Sequence, residues 1–374
     1  MLGTDHVGAA NSQRRSDIQG LRGFAVCAVV AFHSGLPLRS GFLGVDIFFV
    51  ISGFVITSLI LRQLEEGAFS FRSFYSRRVR RLLPALTVVS LVTVAVSAVV
   101  QSPIDAQRDT AVTAAAGALS ISNFVIPVLY GGYFDTQVDY APLVNLWSLS
   151  VEEQFYLFLP ALITWTFLKG RFRWVAVGLA GVAVLSLGFM TIVTSTSIGL
   201  PLVSPDEINF FGPLSRAWEF AAGALLAAFA KVPQLRMATR MHGPVGWVGL
   251  GILVGTVSGI LPTSETPSWL TLLPVAGAVM VIGSGLPARR ISESWWAIPA
   301  NLLSVRLLVS LGALSYSWYL WHWPAIVFSR TLGAGNLGTA LVGVLALVPA
   351  YFTYRLVENP IRIGRYLRTT PAWL

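Results

Sequence analysis

Asp17-Ile-Gln-Gly-Leu-Arg22-Gly-Phe-Ala-Val-Cys-Ala-Val-Val-Ala-Phe-His33 is the stretch whose reading decides the fold. Residues 23–32 are apolar or small, so the segment reads as a membrane helix with a guanidinium at one end and an imidazole at the other. Eleven positions are almost three helical turns, which puts both side chains on one face about 16 Å apart along the axis. Ionisable groups at two depths of one membrane helix are costly unless something uses them. Of the four histidines in the chain, His33 and His322 fall inside apolar segments.

The rest of the chain has the same character. Hydrophobic residues make up 55% and charged residues only 11%, half or less of the roughly 25% charged content of soluble domains. The apolar residues gather in blocks of roughly 17 to 22, enough to cross about 30 Å of hydrocarbon. Trp and Tyr cluster near block ends, as interfacial rings do. The class is all-α, a polytopic membrane protein. The net charge of +9 comes mostly from Lys and Arg in short loops between blocks. That distribution is topological and speaks against nucleic acid as a partner. One cysteine, Cys27, lies mid-span, so no intrachain disulfide is expected. Residues 1–15 are polar, without the layout of a cleavable signal, and read as a flexible cytoplasmic N-terminus. Residues 16–362 form one membrane domain and 363–374 a short cytoplasmic tail, with no linker or internal repeat.

Eleven apolar blocks can be drawn, at 18–36, 42–61, 82–100, 109–128, 146–168, 174–192, 208–230, 245–261, 269–286, 307–328 and 337–357. The loop from Arg62 to Arg81 is strongly basic, hence cytoplasmic, and places the N-terminus inside. If all eleven crossed, Lys169, Arg171, Arg173, Lys231, Arg236 and Arg240 would lie outside. A block 109–128 that enters and returns removes the conflict and leaves Arg289, Arg290, Arg355, Arg362, Arg365 and Arg368 inside. That block is rich in Ala, Thr and Ser, with Asn123 and Pro127 near its end. The expectation is ten transmembrane helices, one partial (re-entrant) segment, and both termini inside.

Direction then sets depth. Arg22 lies near the cytoplasmic surface and His33 in the outer third. Asp46, Glu152, Glu153, Arg216, Glu219 and His322 are carried to the level of His33, so five spans bring ionisable groups to one layer. Singly each has a plain reading: a satisfied core histidine, an Arg216/Glu219 ion pair at i,i+3, a carboxylate at a helix mouth. Together they point to a shared aqueous cavity with a reactive histidine. A second cluster, Arg77-Arg78-Val-Arg-Arg81-Leu-Leu-Pro84, opens the third block. Topology alone accounts for most such clusters, yet exclusive use of Arg suits forked binding of phosphate. Arg78 and Arg81 share a face near the depth of Arg22, and Pro84 is tolerated in a first turn. No Walker or dinucleotide glycine motif appears, and no metal-ligand set is assigned.

These motifs together resemble the acyltransferase 3 family of integral membrane O-acyltransferases. The resemblance runs through Asp17–Arg22 with His33, Gly41-Phe-Leu-Gly-Val-Asp46 to Ser52-Gly53, and Phe74-Tyr-Ser-Arg-Arg78 to Pro84. It continues through Asn145–Tyr156, Arg216-Ala-Trp-Glu219, Tyr319-Leu-Trp-His322-Trp-Pro324 and Glu358-Asn-Pro360-Ile-Arg362. It covers nearly the whole chain. It implies ten spans in a cell membrane, bacterial and cytoplasmic, and transfer of an acyl group, usually acetyl, from a cytoplasmic thioester. Acceptors in the family are hydroxyls of cell-surface glycans or sugars of secreted metabolites. It implies essential roles for Arg22, His33, Arg78, Arg81 and Glu152. Some relatives carry an extracytoplasmic hydrolase-like domain; the sequence to Leu374 shows none, so any such domain would have to be a separate extracytoplasmic partner protein.

The mechanism expected from this has no permanently bound cofactor and acetyl-CoA as donor substrate. Arg22, Arg78 and Arg81, with Arg77 beside them, hold its phosphates. His33 acts as general base, with Asp46 or Glu152 fixing its tautomer. Arg216 or His322 stabilises the oxyanion, Glu219 joins them at the acceptor site, and Ser52 or His33 is a candidate covalent way station. Tyr130, Tyr133, Phe134, Tyr140 and Trp147 read as an interfacial belt, with stacking on a sugar as the second reading. The competing class is a transporter or flippase, in which the same residues relay protons.

Overall fold

The computed structural model describes residues 15–196, 199, 203–232, 241–264, 267–286 and 299–364. Residues 1–14 of the expected N-terminal segment 1–15, most of the tail, and Arg236, Arg240, Arg289, Arg290, Arg365 and Arg368 lie outside these residues. The regular elements among them are helical: α1 (Ser16–His33), α2 (Gly44–Glu65), α3 (Phe71–Val100), α4 (Ala106–Ala118), α5 (Ser122–Tyr130), α6 (Leu146–Thr196), α7 (Pro205–Phe211) and α8 (Pro213–Phe229). There follow α9 (His242–Val257), α10 (Leu272–Ser284), α11 (Pro299–Leu303), α12 (Arg306–Thr331), α13 (Asn336–Leu345), α14 (Leu347–Thr353) and, after a π-helical turn at Tyr354–Glu358, α15 (Asn359–Arg362).

Each apolar block is helical, most on one helix and blocks 109–128, 208–230 and 337–357 on two or more. Four helical stretches among the described residues are long and apolar enough to cross a membrane: Gly41–Glu65, Phe71–Val100, Leu146–Thr196 and Asn336–Arg362. The third is two helices, because Gly170 and Arg171 leave helical geometry and break it where the Lys169–Arg173 loop is expected. Block 109–128 is likewise two pieces, α4 of 13 and α5 of 9 residues, parted at Leu119–Ile121 with Ser120 at φ 57°. At about 1.5 Å per residue neither piece reaches across 30 Å of hydrocarbon.

Burial sorts the helices. The apolar window of α2 is 72% buried, whereas those of α3 and α6 are 22% buried. On α6, Leu157, Phe158, Trp165 and Leu168 lie open, as side chains facing lipid do. Two glycine contacts bring the central helices together. A Cβ on Gly53 of α2 would stand 2.0 Å from the Phe220 carbonyl oxygen, and one on Gly223 of α8 would stand 1.9 Å from that of Val50. Such backbone-to-backbone approach is how membrane helices gain packing energy without a hydrophobic driving force. Gly312 of α12 is set against the Gln19 carbonyl of α1 in the same way, leaving no room for a Cβ. The α1–α12 contact carries the candidate site.

Candidate functional site

The expected single polar layer is three separate clusters. The first lines a cavity between α1, α2, α3, α6 and α12. One end is basic: Arg22 from α1 with Arg78 and Arg81 from α3. Ser52, Glu152 and Tyr156 line it beside these arginines, Val45, Phe48, Ile51 and Val55 add an apolar lining, and Ser148, one turn of α6 from Glu152, lines it with Tyr319. Charged at one end and apolar along its length, it suits an elongated anion with a lipophilic arm.

The arginines differ in their partners. Arg78 is buried, bonded through Nε to Glu153 at 3.0 Å, with Nη2 3.0 Å from Glu153 and 3.6 Å from Glu152. Its guanidinium lies 3.1 Å above the Tyr156 ring. Arg77 turns away and is exposed, bonding Ser73 and Gln63. Arg22 donates to Ser315 Oγ at 2.9 Å. Neither Arg22 nor Arg81 has a carboxylate at salt-bridge distance among the described residues. Both feel Glu152, which lines the same cavity, and after it Glu358, buried at the π-helical turn and accepting from Ser317 Oγ at 2.7 Å. Glu152 accepts from Ser52 Oγ at 2.6 Å and from the Tyr156 hydroxyl.

The second cluster is a histidine pair. His33 Nδ1 lies 2.9 Å from His322 Nε2, and the rings are parallel within 9°. His33 Nε2 lies 2.7 Å from the Tyr133 hydroxyl, and His322 Nδ1 lies 2.7 Å from the Tyr319 carbonyl oxygen. Both rings are buried, at 5% and 0% exposure. At the end of α12, Arg330 bonds the His33 carbonyl at 3.2 Å and pairs with Asp139 at 2.7 Å. His33 does not line the arginine cavity; Tyr319 stands between. Its hydroxyl meets Ser148 Oγ at 2.7 Å on the cavity wall while its carbonyl receives His322.

The third cluster is closed. Arg216 Nη1 bonds Asp46 at 2.8 Å and Glu219 at 3.0 Å, and its Nε bonds the Phe210 carbonyl at 3.1 Å. All three side chains are buried, with the guanidinium over Phe210 and Trp147.

This geometry corrects several expectations. Neither Asp46 nor Glu152 bonds His33: Asp46 is spent on Arg216, and Glu152 on Ser52, Tyr156 and the Arg78 side. His322 and Tyr133 take that place. Arg216 and Glu219 bond each other at 3.0 Å, Glu219 Oε2 is buried without a hydrogen-bond partner, and neither residue lines this cavity. Tyr133 and Trp147 are not belt residues; Trp147 is 2% exposed and packs edge-on against Tyr133. Sequence reasoning gave Tyr133 only the reading of an interfacial ring or a sugar platform, and gave Tyr319, Ser148, Ser315 and Glu358 no role of their own. Ser148, Tyr319 and Glu358 lie within the motifs of the family resemblance; Ser315 carried no signal.

The acyltransferase domain family matches residues 15–355. The chain is 32% identical to the peptidoglycan O-acetyltransferase OatA of Listeria monocytogenes, over 94% of this chain and 56% of that protein. It is 34% identical to the "Putative membrane-bound transacylase BcsY" of Komagataeibacter xylinus, over 92% and 82%. It is 30% identical to a "Putative O-acetyltransferase" of Staphylococcus aureus strain COL, over 92% and 57%. The chain therefore spans little more than half the length of the first and third of these relatives. No solved structure gives a significant match. With a cavity basic at one end and a histidine pair beyond the other, and a family match across nearly its whole length, the chain belongs to the acyltransferase 3 family of membrane acyltransferases.

Proposed function

We propose that the protein is a multi-pass membrane O-acetyltransferase that moves an acetyl group from cytoplasmic acetyl-CoA to a hydroxyl of a cell-surface or exported glycan. The observation that carries this reading is the contrast within the cavity: Arg22 and Arg81 face it without carboxylate partners, and its opposite wall is joined to the histidine pair through the single residue Tyr319. Unpaired guanidinium groups at a cavity end are anion sites. A thioester drawn along the apolar wall would bring its acyl end towards Tyr319.

In this reading Arg22 and Arg81 hold the coenzyme phosphates, while Arg78, braced by Glu153 and Tyr156, shapes the entrance. Ser52, Glu152 and Tyr156 form the lining past which the pantetheine arm runs. His33 is the general base, held by His322 rather than by a carboxylate. Asp46, Arg216 and Glu219 tie α2 to α8 and keep the site in register. The bilayer topology that fits is ten spans with both termini inside, α4 and α5 forming the partial segment. The names of two relatives support an O-acetyl product and one supports a glycan acceptor.

The test is purified protein with labelled acetyl-CoA and a panel of peptidoglycan strands, N-acetylchitotetraose and cellotetraose. Label in ester linkage to a glycan, lost in His33→Ala, is the expected result. A gradient-driven flux with no covalent product would instead favour a transporter.

A further inference from the structure

The histidine pair contains more information than its distances. The Tyr319 carbonyl oxygen can only accept, so His322 Nδ1, 2.7 Å away, carries the proton. Neutral His322 then presents Nε2 as an acceptor, and His33 Nδ1, 2.9 Å from it, must be the donor. Neutral His33 in turn has a bare Nε2, and among the described residues the hydroxyl on it is that of Tyr133, 2.7 Å away. The network therefore assigns both tautomers and gives the chain one direction: Tyr133 O–H to His33, His33 to His322, His322 to a backbone carbonyl.

Tyr133 is also fixed in place. Its ring stacks on Phe210 at 4.6 Å and 22°, and meets Trp147, Phe134 and Phe211 edge-on at 5.9, 5.2 and 6.3 Å. It sits in the loop between α5 and α6 and is partly exposed, whereas His33 beneath it is buried. A hydroxyl approaching from the exposed side meets Tyr133 before it meets the imidazole. A ring clamped on several sides serves better as a conduit for a proton than as a gate that swings away.

Resting on the acetyl-transfer reading above, we propose that Tyr133 is the residue that contacts the acceptor hydroxyl and relays its proton to Nε2 of His33. The acceptor oxygen forms the new C–O bond to the thioester carbonyl carbon while its proton passes to the Tyr133 oxygen. The Tyr133 proton passes at the same time to His33 Nε2. Collapse of the adduct breaks the C–S bond, and the proton held by His33 returns through Tyr133 to the coenzyme A thiolate. Tyr133 is neutral before and after, and no other reactant is needed.

The experiment compares wild type with Tyr133→Phe, which keeps the ring and its stacking and removes only the hydroxyl. Histidine-selective ¹⁵N NMR, with resonances assigned by His33→Gln and His322→Gln, reads the chain directly and needs no acceptor. Wild type should show both rings protonated at Nδ1. Tyr133→Phe should keep those tautomers, which the carbonyl end sets, and move only His33 Nε2 to the position of a nitrogen without a donor. In the transfer assay with the glycan panel the variant should lose kcat by about 100-fold, the scale of acid–base assistance, with KM for acetyl-CoA within about twofold. The solvent-isotope proton inventory should change from curved, with more than one proton in flight, to linear. A wild-type His33 protonated at Nε2, or an unmoved Nε2 resonance in the variant, overturns the chain. Equal kcat and equal inventories in a transferring enzyme overturn the relay alone. A wild type that esterifies no glycan, with the NMR pattern intact, overturns the acetyl-transfer reading and with it the role given to Tyr133.

Discussion

Two groups of buried or half-buried arginines lie in this protein, and they are opposites. Arg216 meets two carboxylates and a backbone carbonyl, and lines no part of the cavity. Arg22 and Arg81 line the cavity and meet no carboxylate at salt-bridge distance among the described residues. In the sequence both kinds are an Arg at the edge of an apolar block beside other charges. The partners, not the residue type, separate a brace from a binding site. A buried guanidinium already paired with two carboxylates has its charge compensated; one left without an anion is costly until an anion arrives.

The largest expected effect tests the brace. Arg216→Met leaves Asp46 and Glu219 buried without their cation and should cost about 3–5 kcal/mol of stability. It should lower the midpoint of thermal unfolding in detergent whether or not coenzyme A is present. If the loss vanished on adding acetyl-CoA, Arg216 would belong with the binding arginines. Next come the open arginines: Arg81→Ala or Arg22→Ala should each weaken coenzyme A binding by roughly 10- to 100-fold, about 1.5–3 kcal/mol for a hydrogen bond to a charged group. Calorimetry should show this with little change in melting of the unliganded protein. Gly223→Ala, which drives a methyl into the Val50 carbonyl, should destabilise by about 1–3 kcal/mol through forced separation of α2 and α8. Arg77→Ala should be the smallest, changing donor affinity less than about twofold, because an exposed side chain bonded to Ser73 and Gln63 and lining no part of the cavity contributes little. A large loss there would mean that the phosphates extend outward past the cavity rim.

What the sequence made legible was one-dimensional. Apolar blocks became helices because length and hydropathy leave the backbone little choice. The break in block 109–128 was visible in its Ser, Asn and Pro residues, and Arg22 with His33 on one helix followed from periodicity alone. Arg216 with Glu219 was foreseeable at i,i+3; Asp46, 170 positions away, was not, since its arrival depends on the glycine contact that draws α2 onto α8. Placing groups at one depth said nothing of their lateral separation, so three clusters read as one layer. Tyr133, following two glycines in a loop, has the composition of an interfacial ring, and only the fold turns it onto His33.

The measurement that bears most directly on transfer between the two ends uses sealed, oriented proteoliposomes. Labelled acetyl-CoA is supplied only on the face carrying Arg81, and peptidoglycan strands only on the face carrying Tyr133. Label should appear as ester on the strands across the membrane, and the signal should disappear in His33→Ala and in Arg81→Ala at low donor concentration. Label esterified only to glycan on the donor's own side, or crossing the membrane without joining a glycan, would contradict a route that runs from the arginine cavity to the histidine pair.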